Sequence, residues 1–368
     1  MFDSKHISPE QVSIPKEFWE EILEKGINSS EQLEKICKIE IDKQQIDAVI
    51  KKYPMFINPY YLSLIRRKGD AVWKQCIPNI LEVEDDFGYD DPLHEEERKF
   101  SPVQGLTHRY PDRVLLLVSN KCAMYCRFCT RKRKVGKPYI TMNREQISHG
   151  IEYIQEHSEV RDVILSGGDP LLLKDDEIEW ILKSLREIKH VEIVRIGTRV
   201  PCTLPQRITP QVCEMLKRYH PIYINTHFNH PNEINEASKK ACEMLADAGI
   251  PLGNQTVLLR GINDDAKIMA KLMKKLLTMR VKPYYIYQAD LVKGTNHLRT
   301  RISKGIEIIR SLRGFISGMA VPHYVVVLPN GGGKIPVLPQ YLQSYNEKKG
   351  ESIFRNYKGD LHAYIDGC

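Results

Sequence analysis

The sequence predicts an α/β protein whose main body is a partial (β/α)6 barrel, with a helical N-terminal segment and a short C-terminal extension. Six short apolar runs, each followed by a segment of helical pattern, recur along the chain: 113–120, 162–168, 191–199, 221–228, 251–259 and 281–288. Strands that alternate with helices indicate βα units and a parallel sheet. Six units are fewer than the eight of a closed barrel. The 368 residues allow two domains, or one large barrel with additions.

The helical N-terminal segment comprises residues 1–100. Apolar residues recur there at three- and four-residue spacing, notably over 17–26 and 29–39, as in amphipathic helices. The acidic stretch 82–97 is expected to be a solvated connection. The barrel occupies residues 101–300, with its ligand at the carboxyl ends of the strands. The extension, residues 301–368, contains a helical pattern, an apolar strand and a glycine-rich turn.

The composition is that of a folded protein without a membrane-spanning segment. Apolar residues make up 42% of the chain and charged residues 27%, which argues against disorder. No apolar run approaches the roughly 20 residues that span a bilayer, and the N-terminus lacks the apolar stretch of a secretory signal. The net charge of +7 is spread along the chain, and no nucleic-acid-binding motif accompanies it. Nine cysteines, an odd number, indicate a reducing cytoplasm rather than a disulfide framework.

Three of the nine cysteines form the motif CxxxCxxC directly after the first predicted barrel strand: Cys122, Cys126 and Cys129. Three thiolates on one loop can bind three irons of a [4Fe–4S] cluster and leave the fourth iron open for a ligand. A structural zinc would need a fourth protein ligand, and neither His nor Cys supplies one nearby. The alternative is three unrelated thiols on one loop.

A glycine-rich turn ends the second predicted strand, where Ser166, Gly167, Gly168 and Asp169 follow one another. Glycine lets the backbone approach a ligand closely. Taken alone, this sequence is also a common turn. Its position after a strand that neighbours the cysteine motif favours a ligand-binding role.

A second glycine-rich turn, Asn330 to Lys334, lies in the extension. A phosphate-binding loop of the Walker type needs Ser or Thr after the lysine and then a helix. Here Ile335 and Pro336 follow, so that interpretation fails. A lysine on a glycine loop can instead form a Schiff base with pyridoxal phosphate. An exposed lysine after a flexible turn is the alternative.

The cysteine motif with an aromatic residue before its last cysteine, after the first strand of a partial barrel, resembles the radical S-adenosylmethionine superfamily. Longer stretches, in order and at matching spacing from about residue 85 to about 360, closely resemble the lysine 2,3-aminomutase family. They include HRYPDRVLLLVSNKCAMYCRFCTRKR, SGGDPLLL, NTHFNHPNEI, NQTVLLRGIND, PYYIYQADL and NGGGKIPVLPQY. In that family pyridoxal phosphate and S-adenosylmethionine lie together inside one barrel.

The resemblance implies a cofactor role for several residues. Cys122, Cys126 and Cys129 match the ligands of the [4Fe–4S] cluster, and Lys334 matches the lysine that binds pyridoxal phosphate. The other implied cofactor-binding residues are Arg109 and Arg113 (phosphate), Phe128 (adenine), Ser166, Gly167, Gly168 and Asp169 (the methionine amino group) and Gln255 (ribose).

The resemblance also implies two substrate-binding residues. Arg131 matches the arginine that binds the substrate carboxylate, whereas the basic residues at 132–134 are expected to be solvated. Asp290 matches one of two aspartates that hold the distal ammonium of lysine. The second is replaced by Val327, so one carboxylate has to serve or the substrate differs.

The family's structural zinc site is not expected in this chain. The upstream cysteine of that site maps to Asp265, and of its C-terminal cysteines only Cys368 has a counterpart here. The expected partners still include a second copy of the chain, in a homo-oligomer without that zinc site.

The resemblance implies an isomerase, a 2,3-aminomutase that moves the α-amino group of an amino acid from C2 to C3, with L-lysine and β-lysine as substrate and product. An external one-electron donor such as flavodoxin or ferredoxin would reduce the cluster, with neither nucleic acid nor a membrane as partner. Alternatives are the same chemistry on arginine, ornithine or glutamate, or on a protein-bound lysine. A non-catalytic iron–sulfur or pyridoxal-phosphate sensor is the alternative from another class.

Overall fold

The computed structural model describes residues 18–37, 40–137, 142–329 and 331–367. Two residues that the sequence analysis names, Asn330 and Cys368, lie outside this part of the chain. None of the described helices is long and apolar enough to cross a membrane.

A nine-stranded sheet with strands in sequential order forms the body of the protein. Its strands are β1 (Leu106–Tyr110), β2 (Arg113–Ser119), β3 (Asp162–Gly167), β4 (Ile193–Gly197), β5 (Ile222–Thr226), β6 (Leu252–Leu258), β7 (Val281–Gln288), β8 (His323–Leu328) and β9 (Gly333–Pro336). Strands β2 to β8 are parallel, whereas β1 and β9 pair antiparallel at the two edges.

The last seven of the described helices connect the parallel strands and cover the outside of the sheet, whereas the first six precede the sheet in the chain. The helices are α1 (Phe18–Glu24), α2 (Ser30–Cys37), α3 (Lys43–Lys52), α4 (Pro59–Ser63), α5 (Trp73–Cys76), α6 (Leu81–Glu84), α7 (Arg144–Glu156), α8 (Asp175–Glu187), α9 (Val200–Thr203), α10 (Pro210–Lys217), α11 (Glu236–Asp247), α12 (Ala266–Thr278) and α13 (Ile302–Leu312). The six predicted βα units are confirmed, and β8 extends the parallel part to a seventh strand.

Alternation along the strands separates the core from the interior of the barrel. In β3, Val163 and Leu165 are fully buried in the apolar core that the helices share, while Ser166 lines an internal cavity. Successive side chains point to opposite faces of a strand, so one face packs on helices and the other faces the cavity. The sheet curls so far that its edge strands come into contact. The Tyr110 hydroxyl in β1 accepts a hydrogen bond of 3.0 Å from the backbone N–H of Lys334 in β9.

The N-terminal helices pack against the loop that follows β2. The side-chain amide of Asn58, the residue that caps α4, donates hydrogen bonds to the carbonyls of Ala123 (2.8 Å) and Thr203 (2.9 Å). Ile57 also forms an isolated bridge with Met124. These contacts tie the N-terminal segment to the cysteine loop, defined as residues 121–130.

Beyond β9 the chain forms a separate three-stranded antiparallel sheet of β10 (Leu342–Asn346), β11 (Glu351–Arg355) and β12 (Leu361–Ile365). In its register, Leu342 pairs with Phe354. Ser352 pairs with Tyr345 on one side and with Tyr364 on the other. Paired residues share a face of the sheet. The four large side chains among them are therefore on one face, and all are exposed.

Asp265, which the sequence analysis matched to a zinc ligand of the family, caps helix α12. Its carboxylate accepts hydrogen bonds of 2.9 Å from the backbone N–H groups of Lys267 and Ile268. Such a cap satisfies donors that the first helical turn leaves without a partner.

Candidate active site

A cavity of about 340 Å³ opens at the carboxyl ends of the parallel strands. It brings together most of the residues that the sequence analysis selected. From that selection the cavity is lined by Cys122, Cys126, Phe128, Cys129, Arg131, Ser166, Gly167, Gly168, Asp169, Gln255, Asp290 and Lys334, together with Val327.

The three motif cysteines line one end of this cavity. Burial, reinforced by the neighbouring thiols, raises the pKa of Cys129 to about 11 and that of Cys122 well above its usual range. Among the described residues, no three His, Cys, Asp or Glu side chains are arranged to hold a single metal ion. A [4Fe–4S] cluster makes a weaker demand, because each cysteine binds a different iron. Three thiols around one cavity end therefore fit such a cluster.

Gly167 and Gly168 hold the end of β3 against the cysteine loop. A Cβ atom on Gly167 would lie 2.1 Å from the carbonyl oxygen of Ser119, and one on Gly168 would lie 2.2 Å from that of Lys121. Gly167 also has a φ of +129°, which residues other than glycine rarely adopt. The backbone of Ser119 and Lys121 thus occupies the space that a Cβ atom would need, and both glycines also line the cavity, where a ligand is expected from the sequence.

The carboxylate of Asp169 is engaged by the protein itself. It accepts hydrogen bonds from the Thr198 hydroxyl (2.6 Å) and from the backbone N–H groups of Arg199 (2.7 Å) and Leu171 (3.2 Å). Burial raises the pKa of Asp169 to about 6, although these hydrogen bonds act in the opposite direction. Asp169 thus ties the ends of β3 and β4 together at the cavity wall.

A buried arginine contacts the cysteine loop. Arg199 donates hydrogen bonds from Nη1 to Cys126 Sγ (2.8 Å) and from Nη2 to Glu233 (2.7 Å) and Gln75 (2.6 Å). Arg199 is the last residue of the predicted strand segment 191–199, and the sequence gives it no role. The spacing of Glu233 and Gln75 gave no signal, because they come from distant parts of the chain.

Two neighbouring aromatic rings, those of Phe128 and His227, line the cavity together with the cysteines and Gln255. The Phe128 ring is 5.6 Å from the ring of His227 and 5.3 Å from the guanidinium of Arg199. Burial lowers the pKa of His227 to about 3, so this imidazole is neutral at physiological pH. The flat apolar ring of Phe128 and the polar Gln255, both on the cavity wall, fit an adenosyl group beside the cluster.

Lys334 lies in strand β9 directly across from Val327, whereas a glycine-rich turn is expected there from the sequence. Its ammonium is 5.7 Å from the centre of the Tyr287 ring. The Lys334 side chain reaches solvent through the open cavity. Most of its surroundings are nevertheless protein, and this burial is the main cause that lowers the pKa of Lys334 to about 8. Arg195 and Arg113 lower it further, while Asp290 opposes them.

Arg109 and Arg113, the expected phosphate ligands, flank Lys334 without lining the main cavity. The guanidinium of Arg109 donates to the carbonyl of Leu93 and lies 5.0 Å from the Phe100 ring. That of Arg113 lies 4.0 Å from the Tyr110 ring. Both act on the pKa of Lys334. Positive charge beside an amine of lowered pKa fits a phosphorylated aldehyde such as pyridoxal phosphate.

Arg195 is a third cation at this end of the site, and the sequence analysis did not select it. It lies in the middle of β4 and forms an ion pair of 2.7 Å with Asp162 in β3. An arginine at an inward position of a barrel strand was the available signal.

The expectation that the acidic stretch 82–97 is a solvated connection was wrong in part. Glu84, Asp86, Asp90 and Glu97 are exposed, but four of its nine carboxylates pair with the basic segment, residues 131–134, and with Arg127. The ion pairs are Glu82–Arg127 (2.5 Å), Glu82–Lys132 (2.8 Å), Asp91–Arg133 (2.9 Å), Glu95–Arg131 (2.6 Å) and Glu96–Lys134 (2.6 Å). Lys132 is buried and Arg133 and Lys134 are largely covered, contrary to the expectation that all three are solvated.

The far wall of the cavity carries one carboxylate and one apolar side chain. Burial raises the pKa of Asp290 to about 6, although Lys334 and Arg299 act to lower it. Val327, which replaces the second aspartate that the resemblance implies, also lines the cavity. Of the described residues that line the cavity, Asp290 and Asp169 carry carboxylates, and that of Asp169 is engaged by Thr198 and Arg199.

Comparison with known proteins gives two family matches and several relatives. Residues 116–273 match the radical SAM superfamily, and residues 309–367 match lysine-2,3-aminomutase. The chain is 51% identical to the L-lysine 2,3-aminomutase of Fusobacterium nucleatum, over 96% of this chain and 84% of that protein. It is 52% identical to the protein of the same name from Clostridium subterminale, over 95% and 84%. It is also 52% identical to the glutamate 2,3-aminomutase of Clostridioides difficile, over 82% and 72%.

Proposed function

Because the chain belongs to the lysine 2,3-aminomutase family of radical S-adenosylmethionine enzymes, we propose that it converts L-lysine into β-lysine by moving the α-amino group from C2 to C3. It is an isomerase with a [4Fe–4S] cluster, S-adenosylmethionine and pyridoxal phosphate as cofactors. One observation carries the proposal: the three motif cysteines, Lys334 and Arg131 line the same cavity.

The residues that line this cavity, together with Arg109 and Arg113 near Lys334, divide the work of binding. Cys122, Cys126 and Cys129 hold the cluster, and Lys334 anchors pyridoxal phosphate, whose phosphate is met by Arg109 and Arg113. When bound, these cofactors supply the radical and amine-transfer chemistry. The protein fixes the substrate between them: Arg131 binds its carboxylate, Asp290 faces its side-chain end, and the enclosing walls exclude water.

The adenosyl side of the cavity is assigned to a second set of residues. Phe128 packs beside the adenine and Gln255 beside the ribose, while Ser166, Gly167 and Gly168 receive the methionine amino group. The carboxylate of Asp169, already bonded to Thr198 and Arg199, holds this turn in place.

Asp290 and Val327 are the residues proposed to select the substrate's side chain. Lysine is favoured because its distal ammonium needs a buried carboxylate, and Asp290 offers one beside the apolar Val327. Arginine and ornithine carry the same charge. Glutamate would place its carboxylate against Asp290, which like-charge repulsion disfavours.

An anaerobic substrate panel tests this assignment. The reconstituted protein and its Val327→Asp and Val327→Asn variants are incubated with lysine, arginine, ornithine or glutamate, and β-isomers are quantified by mass spectrometry. Lysine should be isomerised, and Val327→Asp should lower its KM several-fold because a second carboxylate binds the ammonium. Val327→Asn, of matched size without charge, should not. Faster turnover of another amino acid, together with a rise in lysine KM in Val327→Asp, would contradict lysine as the substrate.

The cofactor assignments have tests of their own. Cys126→Ala should lose the electron paramagnetic resonance signal of the reduced cluster, and a full signal would refute its role. Borohydride reduction of the protein loaded with pyridoxal phosphate should fix the cofactor on Lys334, as peptide mass spectrometry would show. Label on another lysine would refute that assignment.

The cellular setting is also part of the proposal. We place the protein in the cytoplasm, where a reduced flavodoxin or ferredoxin donates the electron. Either protein, reduced enzymatically, should replace dithionite in the assay.

We further propose a homo-oligomer that covers the exposed face of the three-stranded sheet. Its exposed apolar side chains include Tyr364, at 62% exposure. A monomer at all concentrations in sedimentation equilibrium would contradict this.

A further inference from the structure

The guanidinium of Arg131, assigned above to the substrate carboxylate, is held by a carboxylate of the protein itself. Glu95 accepts hydrogen bonds from Nε (2.8 Å) and Nη2 (2.6 Å) of Arg131, one on each of its oxygens. Glu95 is 8% exposed, and Leu93, two residues before it, lines the cavity. The acidic stretch therefore reaches the active site at this point.

The geometry leaves one end of the guanidinium for another partner. A guanidinium carries five N–H donors in a planar fork and can bind two carboxylates on two edges. Glu95 takes the Nε–Nη2 edge. Nη1 makes two longer contacts of 3.3 Å, to the Ser166 hydroxyl and the Gly167 carbonyl. Among the described residues, no carboxylate pairs with the edge between Nη1 and Nη2, and Arg131 lines the cavity.

Neighbouring acidic residues do not share this arrangement. Asp91 and Glu96 pair with Arg133 and Lys134, which do not line the cavity, and the Glu96 side chain is 55% exposed. The same stretch of chain thus combines peripheral ion pairs with one buried, two-point pair on a cavity arginine.

We infer that Glu95 is a positioning residue, which fixes the plane of the Arg131 guanidinium so that its free edge meets the substrate carboxylate. The inference rests on the proposed function, since it presumes an amino acid substrate. Two-point pairing stops rotation about the last bonds of the arginine side chain. The arginine then binds the carboxylate without losing that freedom on binding.

A different role would be to replace the aspartate that Val327 displaces and to hold the distal ammonium of lysine. Both oxygens of Glu95 already accept hydrogen bonds from Arg131, which disfavours this role. A third role would be to weaken the charge of Arg131. These roles predict different ligand preferences.

The experiment compares a ligand with a carboxylate and a ligand without one. Dissociation constants of L-lysine and of 1,5-diaminopentane are measured by calorimetry on protein loaded with pyridoxal phosphate, without S-adenosylmethionine. The variants are Glu95→Gln and Glu95→Asp, and the matched controls are Glu96→Gln and Asp91→Asn. Both Glu95 variants should bind lysine about tenfold more weakly, as expected for a lost charge-assisted hydrogen bond, while binding of the diamine stays unchanged. The controls should bind both ligands like the wild type.

Three results with the variants would overturn the inference. Equal weakening of lysine and the diamine would place Glu95 at the ammonium. Tighter lysine binding in Glu95→Gln, with no change in Glu95→Asp, would indicate weakening of the charge of Arg131. Retained binding of the diamine in either variant shows that the pocket is folded. If wild-type protein bound no amino acid, the proposed function would fail too, whereas wild-type binding with unchanged ligand preference in both variants would overturn the role of Glu95 alone.

Discussion

Lys334 illustrates how single residues are tuned in this site. Its amine has to be unprotonated to attack an aldehyde. Burial, followed by the charges of Arg195 and Arg113, lowers the pKa of Lys334 to about 8 from the usual 10.5. Near neutral pH this enlarges the reactive fraction of the amine many-fold. The same cations would attract the phosphate of pyridoxal phosphate, so one arrangement serves both purposes.

The contribution of Arg195 can be measured. Loss of its positive charge in Arg195→Gln stabilises the ammonium of Lys334, so the pKa of Lys334 should rise from about 8 towards 10.5. The reaction of Lys334 with pyridoxal phosphate, trapped by borohydride and quantified by peptide mass spectrometry, should reach half its maximal rate at a higher pH. Arg218→Gln, at an exposed ion pair with Glu179, serves as control. An unchanged or lowered midpoint in Arg195→Gln would contradict this account.

Residues in short motifs could be predicted from the sequence, and their partners could not. Cys122, Cys126 and Cys129 were found because they are neighbours in sequence, and Lys334 was found from the turn before it. Glu95 contacts Arg131 across 36 residues. A pairing over that separation depends on the path of the chain, which local spacing does not specify.

At the scale of elements, the acidic stretch 82–97 serves as a counter-charge to the basic segment. Glu82, in α6, accepts hydrogen bonds from Arg127 (3.0 Å) and Lys132 (2.8 Å), and all three side chains are buried. Burial alone would raise the pKa of Glu82, but the two cations lower it. The sequence predicts a solvated connection here because an acidic composition is typical of exposed segments. It is equally compatible with a segment whose carboxylates form ion pairs. Only the fold distinguishes the two.

Glu82 should therefore matter greatly for stability. Glu82→Gln leaves Arg127 and Lys132 without their carboxylate in the interior, which costs about 3–5 kcal/mol of unfolding free energy for a buried pair. Urea denaturation measures this loss. The control Glu84→Gln changes an exposed residue of the same helix and should stay within about 0.5 kcal/mol of the wild type. Equal stability of the two variants would contradict the buried-pair account.

At the scale of the whole molecule, curling of the sheet creates the site. The cysteine loop follows β2 and Lys334 lies in β9, at nearly opposite ends of the strand order. They share a cavity because the two sheet edges meet at Tyr110 and the backbone of Lys334. The alternation of strands and helices predicted the parallel units. It did not predict that β8 and β9 continue the same sheet, because closure depends on twist and tilt.

The central claim is that cluster and pyridoxal phosphate act on one amino acid in this cavity. Its most direct test follows the amino group itself: anaerobic reconstituted protein, S-adenosylmethionine, reductant and L-lysine labelled with ¹⁵N at the α-amino group and ¹³C at C2 and C3. The account predicts that the one-bond ¹³C–¹⁵N coupling seen by nuclear magnetic resonance moves from C2 to C3, and that Lys334→Ala abolishes the transfer. Coupling that stays on C2 in an active cluster-loaded protein, or transfer that persists in Lys334→Ala, would contradict it.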